Sequence, residues 1–296
     1  MAGGGRGAFG VASTIRLDAE RAERRRAERA TLDPGSAPSA DVEQEEDPFG
    51  LDRAMLERVL PAFRFLHDRY WRVETAGLHH LPADGPVILV SNHSGAIPFD
   101  GAMIATTVLL HGQRVLRFLY DRFVDKLSPV ASFYRKVGGV AATRENAVEI
   151  LKADEPLLIF PEGVSGVAKP FSDRYQLRSF SPGFARLALG LDVPVVPVAV
   201  VGAEEIYPLV GKAEGIMQTL GVPYLPITPF FPLLGLLGTV PLPTKWFIRF
   251  GKPIRLKATD DEVRSERARL ETLRMRRTVQ GMVARLRRRR KSVFFG

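Results

Sequence analysis

Short, nearly continuous apolar runs recur along this chain, separated by helix-like segments, and that alternation restricts the fold more than any other feature. "PVILVSN", "RVLRFLY", "PLLIFPEG", "VPVVPVAVVG" and "WFIRFG" read as strands, while the stretch from about Phe99, "SPVASFYRKV", "ENAVEILKA" and "GFARLALG" read as helices. Strands with so little polar alternation are buried on both faces, which requires helices on each side of a sheet. The expected class is therefore α/β, with a central, mostly parallel or mixed sheet flanked by helices. A chain of 296 residues with 45% hydrophobic content can bury one sizeable core of this kind. The prolines of "VPVVPVAV" predict an irregular or edge position for that strand, because proline donates no ladder hydrogen bond.

Around this domain, expected over residues 49–259, lie two different ends. Residues 1–48 combine a Gly-rich start, "RAERRRAERA", "DPGSAPSA" and the acidic "DVEQEED". They offer too little apolar surface to offset the entropy of ordering, so a disordered tail is expected. From Leu51, the positions Leu56, Val59, Leu60, Phe63 and Leu66 follow helical spacing and predict an amphipathic helix ending near Trp71, either capping a core or lying on a membrane. Residues 260–296 read as a basic amphipathic C-terminal helix, with Val279, Met282, Val283 and Leu286 as its apolar stripe. Beside the cluster "RLRRRRK" and the terminal "SVFFG", that stripe suits an anionic bilayer surface, the alternative being a solvated basic tail. Residues 215–244 carry no formal charge. Six prolines break that segment, so it is not a spanning helix. It is either a loop packed over the sheet or a membrane-facing surface or acyl-chain wall.

Composition removes several chemistries. The chain has no cysteine, which excludes disulfides, thiolate nucleophiles and Cys-based zinc sites. Its net charge of +9 calls for an anionic partner. Six of the positive residues sit between Arg285 and Lys291, and the remainder is close to balanced, so a nucleic-acid partner is not expected. No G-x-G-x-x-G follows a strand, which disfavours a nicotinamide-dependent dehydrogenase. The N-terminus lacks the apolar core of a secretory signal, so the expected location is cytoplasmic, peripheral on the inner face of the membrane.

Candidate chemistry clusters at strand ends. In "SNHSGAIPFDG", His93 and Asp100 follow an apolar run, where a histidine is exposed enough to take a proton and a carboxylate can fix its tautomer. No G-x-S-x-G elbow supplies a protein nucleophile, so a substrate hydroxyl would take that part, making the chain a transferase. The alternative is a polar turn. "FPEGVSGVAKPF" supplies Glu162, Gly163, Gly166 and Lys169 after a second strand, either as a ligand loop or as a surface turn. "GGVAATREN" ends at Arg144, a phosphate or carboxylate holder or a plain helix-start arginine.

Together and in this order, these blocks resemble the glycerolipid acyltransferase family, the lysophospholipid acyltransferases related to 1-acylglycerol-3-phosphate acyltransferase. The resemblance covers about Trp71 to Gly251. It rests on Asn92, His93 and Asp100 for the "NH…D" block, Gly138 and Arg144 for "G-x5-R", Phe160 to Gly163 for "FPEG", and Val193 to Val198 for the proline-valine block. The resemblance implies acyl transfer from acyl-CoA or acyl carrier protein to a lipid hydroxyl, with His93 and Asp100 catalytic. It places Asn92, Arg144, Glu162, Gly163 and Lys169 at the substrate and implies no metal and no further cofactor. Two departures stand out: six residues, rather than the family's four, separate His93 from Asp100, and "FPEGVSG" lacks the arginine of the family's "FPEGTRS". Lys169, Arg174 or Arg178 would replace that arginine, or the acceptor carries no phosphate. The rival from another class is a catalytically silent lipid-binding or membrane-tethering protein of the same fold. Oligomeric state is left open.

Overall fold

The computed structural model describes residues 47–94, 98–213, 225–257 and 264–296. The tail expected over residues 1–48 lies outside these, apart from Asp47 and Pro48. Asp47 belongs to the fold: its carboxylate pairs with Arg117 and accepts the amides of Phe49 and Leu51, both at 3.0 Å. Burial opposes its ionisation, but the hydrogen bond and charge of Arg117 outweigh burial and hold the carboxyl below its ordinary range.

The chain runs through α1 (Arg53–Phe65), a π-helical turn (Leu66–Tyr70), β1 (Glu74–Ala76), β2 (Val87–Ser91), α2 (Phe99–Gly112), β3 (Arg117–Tyr120), α3 (Ser128–Lys136) and β4 (Gly139–Ala141). It continues with α4 (Arg144–Lys152), β5 (Pro156–Ile159), the one-turn α5 (Val164–Val167), α6 (Gly183–Leu191), β6 (Val195–Val201), β7 (Gly211–Ala213), β8 (Leu225–Ile227), β9 (Phe247–Phe250) and α7 (Arg264–Arg289). Seven strands form one mixed sheet in the order β1-β9-β6-β2-β5-β3-β4, in which only the β6–β9 pair is antiparallel; β7 and β8 make a separate antiparallel pair.

All five residues of β2 are buried. Ile88 and Val90 join one apolar cluster with residues of α4, α6 and α7, while Val87 and Leu89 join another with residues of α2. The period-two alternation of a strand thus feeds two cores, one on each face, which is why the run reads as continuously apolar. Each such side chain contributes about 1.5–3 kcal/mol through burial.

Two expectations are corrected. β6 is interior, between β9 and β2, which excludes the edge alternative, while the irregular one is met: its register with β9 and the chain after it slips by one residue between the Val198–Phe250 pair and the Val195–Ile254 bridge. Pro197 pairs with Val90 of β2, and it lies one residue outside the β6–β9 ladder, which starts at Val198 opposite Phe250. Its carbonyl accepts the amide of Gly251 at 2.8 Å, so its missing N–H falls on the β9 side, just where that ladder has ended. The C-terminal helix is also not an outlying appendage. Val279, Met282, Val283 and Leu286 are buried in the core cluster that includes Val195, Ala199 and Val201 of β6. The stripe is consumed by the sheet, because those residues lose more water contact there than on any outer surface.

Candidate active site

The site forms at the carboxyl ends of β2 and β5, where open α/β sheets present their ligand crevices. Asn92 leaves β2 fully buried, and its amide makes both hydrogen bonds to Val200 of β6: Nδ2 donates to the carbonyl at 3.1 Å and Oδ1 accepts the N–H at 2.8 Å. This clamp fixes the direction in which the next residue, His93, departs. Helix α2 opens with Asp100 in its first turn, where the positive end of the helix favours a carboxylate.

His93 Nδ1 lies 2.8 Å from Asp100 Oδ2, so the six-residue separation does not prevent the pair from meeting. Residues 95–97 of the intervening stretch lie outside the described residues. Asp100 has no solvent exposure and also accepts the amides of Ser94 at 2.7 Å and Gly101 at 2.8 Å. With both carboxylate oxygens engaged as acceptors, the ring proton sits on Nδ1 and Nε2 is left as the basic edge. The ring stacks on Phe160, with centroids 4.1 Å apart and planes 19° apart, and keeps 14% of its side-chain surface exposed.

Below the histidine lies a buried charge network. Glu162 Oε1 accepts the His93 amide at 2.9 Å and Oε2 accepts the Arg178 amide at 2.7 Å. Lys169 Nζ stands 3.4 Å from Glu162 and 3.0 Å from Glu204, whose other oxygen accepts the Tyr175 amide at 2.7 Å. Burial pushes the Glu204 carboxyl above its ordinary range although Lys169 pulls the other way. The sequence reading placed Asn92, Glu162 and Lys169 against substrate. Here their polar atoms face protein partners and hold the backbone that aims His93, since a buried charge must be paired to be tolerated.

Gly163 is exposed and required by its backbone, with φ +55° and open space where a Cβ would stand; its amide donates to Phe160 O at 3.0 Å. Gly166 is required for the opposite reason. A Cβ there would come within 2.8 Å of His93 Cβ and 2.9 Å of Glu162 Cβ. Arg144 is not brought to this cluster. It is exposed at the start of α4, and its preceding strand β4 lies three strands from β2, about 14 Å by strand spacing. Of the arginines considered as replacements, Arg174 packs over the Phe171 ring at 4.3 Å and Arg178 pairs with Asp173 at 2.8 Å. Sequence reasoning missed the roles of Phe160 and Glu204. Two adjacent glutamates, Glu204 and Glu205, separated by two residues from the end of a seven-residue apolar strand, were a readable signal of buried charge.

The family model for acyltransferases matches residues 72–201, which contain His93, Asp100, Glu162 and Lys169. An uncharacterized protein of Mycobacterium leprae (strain TN) is 40% identical over 257 residues, covering 84% of this chain and 70% of the relative. The chain belongs to the acyltransferase family. An uncharacterized protein of Mycobacterium tuberculosis (strain H37Rv) is similar to this acyltransferase at 38% identity over 262 residues, covering 84% and 72% of the two chains. The human "DGAT1/2-independent enzyme synthesizing storage lipids" is 26% identical over 171 residues, 56% of this acyltransferase and 52% of the human protein. In fold, the acyltransferase resembles the crystal structure of the 1-acyl-sn-glycerophosphate acyltransferase from Thermotoga maritima, with TM-score 0.51, 20% identity and 79% coverage of each chain.

Proposed function

We propose that this acyltransferase moves a fatty acyl group from a thioester donor, acyl-CoA or acyl carrier protein, to a hydroxyl of a lipid acceptor, a lysophospholipid or another glycerolipid. The observation that carries the reading is His93 Nδ1 held 2.8 Å from a fully buried carboxylate, which leaves Nε2 as the base. Nε2 takes the proton of the acceptor hydroxyl as its oxygen attacks the thioester carbonyl; the C–S bond then breaks, and the departing thiolate recovers the proton from Nε2. Asp100 stabilises the imidazolium between these steps. The two substrates supply every atom, so no further cofactor enters. Arg144, exposed at the same end of the sheet but to one side, would hold a distal phosphate of the substrate rather than act on the reacting atoms.

Among the described residues, no helix is long and apolar enough to cross a membrane. Peripheral attachment on the cytoplasmic face, where thioester donors are made, fits this reading. The test is release of free thiol from acyl-CoA and from acyl carrier protein with lysophospholipid, diacylglycerol and fatty-alcohol acceptors. Acceptor-dependent release is expected; silence with every donor and acceptor from folded protein sinks the proposal. In the productive pairing, Gly166→Ala is expected to lower kcat about 10²-fold, because the added Cβ displaces His93 or Glu162 by a few tenths of an ångström or more. Wild-type kcat in that variant, measured beside its circular dichroism, counts against the close fit.

A further inference from the structure

We infer that the enzyme docks on an anionic bilayer through an apolar crest made by residues 230–240 and the C-terminal Val293, Phe294 and Phe295. The inference rests on the acyl-transfer reading only for its purpose, since a lipid acceptor must be met at a bilayer; the surface itself is argued from its own residues. Leu233 is 82% exposed, Leu237 75% and Phe295 89%, with Phe230, Leu234, Val240 and Phe294 also exposed. Single exposed apolar residues are ordinary, whereas a contiguous set is not.

Contacts just past Val240 join the end of the loop to the C-terminal segment. The Arg72 guanidinium donates to Pro243 O at 3.1 Å and also to Phe294 O, and the Lys245 amide donates to Val293 O at 2.8 Å. The C-terminal end of the loop is anchored to the domain. Tyr207 Oη donates to Thr239 O at 2.5 Å, Tyr70 Oη to Pro241 O at 2.6 Å, and Trp71 Nε1 to Leu242 O at 3.1 Å. A held, apolar, uncharged crest loses little conformational entropy on insertion.

Charge selects the occupant. Arg287, Arg288, Arg289 and Lys291 are exposed within eight residues of Phe295, and no acidic residue occurs from Thr272 to Gly296. Apolar side chains rimmed by cations match acyl chains beneath anionic headgroups. A second copy would set this rim against itself across a two-fold axis, like charge on like charge. The crest is also joined to the site: Tyr207, which anchors Thr239, lines a small cavity together with Gly166, Lys169 and Glu204.

The experiment is flotation of the full chain with vesicles of phosphatidylcholine alone and of equimolar phosphatidylcholine and phosphatidylglycerol, alongside size-exclusion chromatography. Wild type and His93→Ala are expected to bind the anionic vesicles alike and the neutral ones more weakly. Leu233→Asp/Leu237→Asp is expected to lower partitioning about tenfold or more, with unchanged circular dichroism. Arg288→Glu/Arg289→Glu is expected to remove the preference for phosphatidylglycerol. Partitioning of the double aspartate variant equal to wild type overturns the inference. So does a wild-type dimer that this variant dissociates without any loss of vesicle binding, which would make the crest an interface between copies. Because flotation reads no turnover, intact binding by a protein that transfers no acyl group supports the crest while refuting the enzymatic reading.

Discussion

His93→Ala is expected to lower kcat for acyl transfer about 10²–10⁴-fold with little change in KM for either substrate. The ring's Nδ1 is committed to Asp100 at 2.8 Å and its face to Phe160 at 4.1 Å, so the only group it offers to a substrate is the Nε2 edge. Removing the ring therefore deletes proton transfer while leaving intact the backbone held by Glu162, because that contact uses the His93 amide rather than its side chain. Asp100→Asn is expected to give a loss in the same range. An asparagine amide in place of the carboxylate can present a donor to Nδ1, which moves the ring proton to Nε2 and removes the base. Steady-state kinetics on both variants, with melting temperatures to confirm folding, decide the matter. Wild-type kcat in a folded His93→Ala protein would reduce the pair to a structural turn and favour the silent, lipid-tethering reading.

The largest expected effect on stability is at Lys169. Its ammonium, 3% exposed, lies between Glu162, 0% exposed, and Glu204, 5% exposed. Lys169→Met leaves two carboxylates facing each other in a buried site without their cation, a change of the kind that costs about 3–5 kcal/mol. For a domain of this size that corresponds to a fall in Tm of roughly 10 °C. Glu204→Gln is expected to be far milder, within about 1–2 kcal/mol, because its amide oxygen can still accept from Lys169 or from Tyr175. The pH dependence tests the cost of ionising Glu204 directly. Burial raises the Glu204 carboxyl in the folded state, so the unfolded chain gives up this proton first as pH rises. Wild type therefore loses stability relative to Glu204→Gln as pH climbs from about 4.5 through the folded value. Denaturant melts of both proteins between roughly pH 4 and pH 8 give the comparison. A constant difference across it would show that Glu204 carries no unusual cost of ionisation.

Much of this molecule follows from local sequence. The apolar runs at Val87–Ser91, Pro156–Ile159 and Val195–Val201 became the central strands, and the helix placed from about Phe99 begins at Phe99. Side-chain periodicity and buried-strand composition are properties of neighbouring residues, so they are legible without tertiary contacts. The ordered blocks around His93, Glu162 and Val193 identified the family on the same basis. The local signals failed where burial depends on partners distant in sequence. The stripe at Val279, Met282, Val283 and Leu286 has the spacing of a membrane-surface helix, yet the sheet covers it. Spacing reports which residues share a face and says nothing of what covers that face.

The site shows the same division. Sequence alone determined which residue types stand at the strand ends: a histidine, an aspartate seven positions on, a glutamate in "FPEG" and a lysine after it. Only the tertiary structure decided what those groups do to one another. Glu162 is 69 residues from His93 along the chain and 2.9 Å from its amide; Glu204 is 35 residues from Lys169 and 3.0 Å from its amine. Whether a charged side chain reaches for substrate or is neutralised inside the protein depends on desolvation and on partners delivered by other strands. Sheet order sets those quantities: it places β2, β5 and β6 side by side and leaves Arg144, on β4's exit, apart from them.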